Sequence, residues 1–124
     1  MIAAAGAVFL GLFADLAGRN DYAFEPVKTE IKRGDDVVLA VRLIHKRPRK
    51  PIANAMIVVI HVDMAPDGMK EITAPLIALP SSEPGVYAFK TNLPVPGRWL
   101  LTIAAKVPGE QQAVVGKVVF RAAR

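Results

Sequence analysis

The 124-residue sequence contains no cysteine. That excludes a disulfide scaffold, a thiol catalyst, a CxxC redox pair and any Cys-rich zinc module. Histidine is almost as scarce: His45 and His61 are the only two, and they lie in different contexts. Charged residues make up 22% and hydrophobic residues 52%, too few and too many, respectively, for a disordered chain. There is no phosphate-cradling Gly-rich loop, because Gly6 and Gly11 belong to an apolar leader. Ser81-Ser82 has neither a nearby base nor nucleophile-elbow glycines. The adjacent carboxylates Asp35 and Asp36 fall at a turn, with nothing in the sequence to mark them as an acid–base pair. No catalytic set emerges, and the chain reads as non-enzymatic. Its length fits one domain of ordinary size, slightly basic at a formal net charge of +5.

The chain begins with an apolar run, residues 2–12, extended by Phe13 and Ala14 and interrupted by Asp15. The run has the length of a signal-peptide h-region and falls short of the roughly 20 residues that a membrane span needs. A basic n-region is missing, and Leu16-Ala17-Gly18 offers small residues without a clean A-x-A site. Residues 1–18 are read as a signal peptide or N-terminal apolar segment, and residues 19–124 as the mature domain. A buried N-terminal helix and an uncleaved anchor are the alternatives. The leader reading puts the protein in the periplasm or cell envelope, exported and with membrane anchorage left open.

After residue 20 the pattern turns to period two and β-branched runs. Residues 22–27 and 29–31 read as one edge strand carrying Pro26. Residues 33–36 read as a turn, and 37–44 as a second strand. A basic loop follows, residues 45–51, with Lys46, Arg47, Arg49 and Lys50 set among Pro48 and Pro51. Residues 55–63 form the most apolar strand. Pro66-Asp67-Gly68 marks a tight turn after it. A weak strand over 70–79 is broken by Pro75, and strands at 86–91, 98–107 and 113–120 complete the set. Short strands between Gly/Pro turns, without a convincing helix, predict an all-β antiparallel sandwich of about seven strands. Trp99 and Tyr87 are expected as core aromatics on facing strands.

Three stretches form an ordered series: Asp63-Met64-Ala65-Pro66-Asp67-Gly68-Met69, Pro84-Gly85-Val86-Tyr87-Ala88-Phe89 and Pro96-Gly97-Arg98-Trp99-Leu100-Leu101-Thr102. The series resembles the YtkA-like/FixH-like domain of exported bacterial proteins, in which a Met-bearing loop precedes a "G-x-Y" strand and a "G-x-W-x-L" strand. Residues 32–35 and 51–55 also look like that domain, and the resemblance spans roughly residues 22–120. It implies an immunoglobulin-like β-sandwich outside the cytoplasm, often associated with heavy-metal efflux or copper handling. Its implied partner is a membrane efflux or metal-transfer protein. Related sequences carry further methionines where this chain has Ile72 and Val95.

The soft-metal candidates are Met64, Met69 and His61, because thioether and imidazole ligands suit Cu(I). Met64 and Met69 bracket the Pro66-Asp67-Gly68 turn, which can bring them together. Strand alternation opposes the set, since it aims His61 and Asp63 to one face and Met64 to the other. The competing reading makes both methionines packing residues that cap one end of the sandwich. Met56 starts an apolar strand and is read as core. Trp99 is read as core in preference to a cation-binding surface. Asp63 and Asp67 lack the alternating ligand order of a calcium loop. The basic loop offers a contact for anionic lipid or an acidic partner, with a solvated hairpin loop as its default reading. No aromatic residues interleave with it, so no nucleic-acid partner is expected. Arg33-Gly34-Asp35, a cell-adhesion tripeptide, is read as a turn.

Two functions compete. One is an exported accessory domain assisting copper or other heavy-metal handling, with Cu(I) as ligand and Met64, Met69 and His61 converging at one end. The other is a metal-free domain docking a membrane-associated assembly. It predicts buried methionines together with an unclaimed apolar patch or strand edge.

Overall fold

The computed structural model describes residues 21–81 and 83–124. The leader reading of residues 1–18 lies outside them. Among the described residues ten strands run in chain order: β1 (Tyr22–Pro26), β2 (Glu30–Lys32), β3 (Gly34–His45), β4 (Lys50–Pro51), β5 (Met56–Met64), β6 (Met69–Thr73), β7 (Leu76–Leu79), β8 (Val86–Leu93), β9 (Gly97–Lys106) and β10 (Val114–Ala123). They form two facing sheets, ordered β2-β10-β9-β5-β6 and β1-β3-β8-β7, with β4 added to the end of β3. The all-β sandwich expected from the period-two pattern is the fold. No helix among the described residues is long and apolar enough to cross a membrane.

Two differences from the seven-strand expectation have one cause. Residues 22–31 and 70–79, each read as one strand, divide between the two sheets. The first pairs with β3 through Pro26, then crosses over so that Glu30 lies beside Arg121. The second leaves β5 after Thr73 and joins β8 at Leu76. A proline stands at each crossing, Pro26 and Pro75. A residue without an N–H cannot donate to a ladder, and pairing ends close to each proline: the last bond of the first segment to β3 is the Val27 N–H on the Ala40 carbonyl at 2.9 Å, one residue past Pro26. The β2–β10 pair is also parallel, the exception among otherwise antiparallel pairings. The turn expected at 33–36 is a bulged start to β3, with Asp36 at φ 55° and its N–H donating to Asn92 Oδ1 at 3.0 Å.

The core lies between the sheets. Trp99, Leu101 and Ile103 of β9 and Val118 and Phe120 of β10 meet Leu39 and Val41 of β3 and Phe89 and Leu93 of β8. Trp99 is fully buried, and its indole N–H donates to the Val95 carbonyl at 3.1 Å. Tyr87 faces it from the other sheet but sits at the margin. Its hydroxyl donates to the Ile52 carbonyl at 2.7 Å and accepts the Ala55 N–H at 3.0 Å, tying the 52–55 loop to β8. Gly85, at φ +84°, makes room for this loop, since a Cβ there would stand 2.7 Å from Pro51 Cβ.

One polar atom in this core has no partner. Thr91 is buried on the inward face of β8, and its Oγ1 makes no hydrogen bond. A buried hydroxyl without a partner carries a desolvation cost of about 1 kcal/mol or more. Thr91→Val removes that cost at nearly constant shape in a strand that favours Val. It is expected to raise stability by about 1 kcal/mol, read as a higher denaturant midpoint at unchanged slope.

Candidate functional site

The Met-bearing segment lies where β5 ends and β6 begins. Ala65–Asp67 form one 3-10 turn, closed by Gly68 at φ 78° with its N–H on the Ala65 carbonyl at 2.8 Å. Pro66 supplies the fixed φ that such a turn needs. Asp63 Oδ1 accepts the Ala65 N–H at 2.9 Å at the turn's entry. This geometry makes Met64 and Met69 cross-strand partners in the β5–β6 pair. Met64 is 0% exposed and belongs to the main core cluster, and Met69 packs half-buried against the same cluster. His61 goes elsewhere. Its side chain is 49% exposed on the outer face of the sheet, with Nε2 3.0 Å from Asp63 Oδ2. The structure therefore makes the two methionines strand partners packed into one core and leaves the imidazole on the opposite side of the strand. Ile72 and Val95 also pack against the core. Met56, expected in the core, is instead the most exposed of the large apolar side chains among the described residues, at 65%.

Sequence reasoning missed Arg98, the residue that fastens this turn. Asp67 Oδ2 accepts the Arg98 backbone N–H at 2.9 Å, and Oδ1 accepts its Nε–H at 2.8 Å. Arg98 Nη2 donates to the Pro66 carbonyl at 2.7 Å. The turn and Arg98, near the start of β9, are thus locked together next to the buried Trp99. Gly97 makes this approach possible at φ +139°. A Cβ there would stand 2.5 Å from Asp67 Oδ2 and 2.7 Å from Met64 Cε. The signal was present as Asp67-Gly68 and Gly97-Arg98, but no local pattern links residues 31 apart.

The Arg98 backbone N–H, followed by its guanidinium, holds the Asp67 carboxyl below the usual Asp range. A depressed folded pKa contributes stability that is complete above the ordinary Asp value of ~3.9. It is lost as the pH falls through the lower folded value. Asp67→Asn is expected to be less stable than the parent at ~pH 6, with the difference shrinking toward ~pH 3. Paired urea titrations at the two pH values check this. Both carboxylates are already committed, Asp63 to His61 and the Ala65 N–H, and Asp67 to Arg98. Among the described residues no group of three or more His, Cys, Asp or Glu is arranged to hold a metal ion.

The basic loop forms the turn between β3 and β4. Arg49 donates two hydrogen bonds to Glu25, at 3.2 and 3.0 Å, and Arg47 lies 3.6 Å from Asp21. Its two arginines thus meet acidic partners on or beside β1. His45 packs edge-on against Tyr22 at 5.0 Å between ring centroids.

A further surface lies on the outward side of β5, β9 and β10. A register shift between β5 and β9 leaves Val58 as an extra residue, so that Val58 and Val59 are both exposed. Val59, Ala104 and Val115 stand in one row across the three strands. Thr102 lies between His61 and Lys117 in the next row, and Leu100 between Asp63 and Val119 in the one after. The signal for this surface was the apolar residue at every fourth position of β10, Val115 and Val119, on the side that Lys117 marks as outward.

Among solved structures, the chain is similar to a ZirS C-terminal domain at 11% identity and a TM-score of 0.48. That similarity covers 85% of this chain and 67% of the other. No curated protein matches the chain. The YtkA-like family profile matches residues 16–104, which include the Met-bearing turn, the Gly85–Tyr87 segment and the Gly97-Arg98-Trp99 segment. The chain belongs to the YtkA-like family.

Proposed function

We propose that the chain is a non-enzymatic accessory domain of the cell envelope that acts by docking another protein, with Met64 and Met69 serving as core. The observation that carries this reading is the burial of Met64: its thioether is 0% exposed, and the imidazole that completes the soft-metal set lies on the other face of the strand. A Cu(I) ligand needs its sulfur within reach of an entering ion. Membership of the YtkA-like family supports the accessory role, and the apolar leader at residues 1–18 supports the envelope location.

A second reading is favoured by one specific observation, the direct pairing of Met64 with Met69. In that reading the turn opens at the rim and the two thioethers hold Cu(I) for a metal-transfer or efflux partner. An anaerobic Cu(I) competition titration of the full chain, with Met64→Leu/Met69→Leu alongside, separates the two. The docking reading expects no competition by either protein. One-to-one competition that the double variant loses would overturn it.

A further inference from the structure

We propose that the outward face of β5, β9 and β10 is the docking surface, and that its occupant is an acidic amphipathic segment of a partner protein. This inference rests on the docking reading above. Of the eight large apolar side chains exposed among the described residues, five lie on this one face: Met56, Val58, Val59, Val115 and Val119. The four valines are 44–50% exposed, and Ala104 between Val59 and Val115 is covered to 8%. Scattered exposed apolar residues need no explanation, but five gathered on one sheet face, in rows on either side of the polar His61-Thr102-Lys117 row, mark an interaction surface.

The charged residues among and around these rows specify the partner's charge. Lys106, Lys117, Arg98 and Arg121 project on the same side, with Asp63 as the one acid on these three strands. Asp63 is spent on His61 and the Ala65 N–H, and Arg98 on Asp67. Lys106 and Lys117 make no ion pair among the described residues, while Arg121 is 3.9 Å from Glu30 with both largely exposed. The apolar rows therefore sit among cations that acidic side chains can neutralise. A second copy packed face to face would set lysine against lysine on the same apolar rows, so self-association is disfavoured. A bilayer is disfavoured by side-chain type. Interfacial anchoring uses protruding aromatic residues, and the tryptophan and the phenylalanines among the described residues are buried or half-buried. Valines on an open sheet face fit the apolar stripe of a helix laid across them.

The test is an amide NMR titration of the full chain with a synthetic helical peptide of about 18 residues, leucine along one face and glutamate on the other. The expected result is shift changes confined to β5, β9 and β10, centred on Val59, Thr102, Val115 and Lys117. Val115→Glu/Val119→Glu is expected to weaken binding roughly tenfold or more. Lys106→Glu/Lys117→Glu carries no risk to the core. It is expected to lose the glutamate peptide and gain the matching lysine peptide. Silence from the glutamate peptide, shifts on another face, or equal binding of both peptides overturns the assignment. So does a dimer that covers this face, or a preference for phosphatidylglycerol vesicles over the peptide. The Cu(I) titration run on the same samples keeps the two levels apart. A silent peptide with silent Cu(I) overturns this surface alone, whereas one-to-one Cu(I) binding through Met64 and Met69 overturns the docking reading itself.

Discussion

Gly97→Ala is expected to cost about 3 kcal/mol of folding stability, although it adds one methyl group at a strand end. Two effects add. At φ +139° an L side chain is strained, which costs on the order of 1–3 kcal/mol. The new Cβ also meets Asp67 Oδ2 at 2.5 Å and Met64 Cε at 2.7 Å. Neither neighbour can move freely, because two Arg98 donors hold the Asp67 carboxylate while a third holds the Pro66 carbonyl beside it, and Met64 is in the core. Overpacking a site of that kind costs roughly 1–3 kcal/mol. Gly109→Ala supplies the control. Gly109 also has a positive φ, +89°, but nothing lies within 4 Å of its Cβ position. It should cost only about 1 kcal/mol, the conformational part. Denaturant midpoints for the two variants measure the difference. Equal losses would show that the turn does not press against β9.

Met64→Ala is expected to cost a similar amount, about 3 kcal/mol, by opening a cavity beside Trp99 and Leu101. Met64→Leu keeps the volume and should cost less than about 1.5 kcal/mol. The pair of variants distinguishes a packing residue from a ligand. A core methionine responds to volume, so Leu rescues what Ala loses. A methionine kept for its sulfur would show little stability loss with Ala, and Leu would rescue nothing. Met56→Ala should be close to neutral, because that side chain is 65% exposed.

These variants also show what could be read before the fold was known. The sandwich was legible because short β-branched runs between Gly/Pro turns are local signals. Trp99 as core was legible from its place in an alternating strand. The division of residues 22–31 and 70–79 between sheets was not. Pro26 and Pro75 mark where a ladder must stop, but a proline does not say where the chain goes next. Met56 was read as core because the 55–63 run is uniformly apolar. A run without polar residues gives no phase, and the bulge at Val58 then resets which side faces in. The two methionines were placed correctly at one turn, and alternation correctly set His61 apart from Met64. The Asp67–Arg98 clasp was beyond reach, since it joins a turn residue to a strand residue 31 positions away that only the tertiary fold brings together.

The claim beneath the whole account is that the Met64 thioether is sealed in the core. Hydrogen peroxide footprinting of the full chain, read methionine by methionine by mass spectrometry, tests it directly. Sulfur oxidation follows solvent access. The account predicts that Met56 oxidises first, Met69 more slowly, and Met64 only at the rate of global unfolding. Met64 oxidising as fast as Met56 in the folded protein would contradict it, and would make the Met64–Met69 pair an open thioether site.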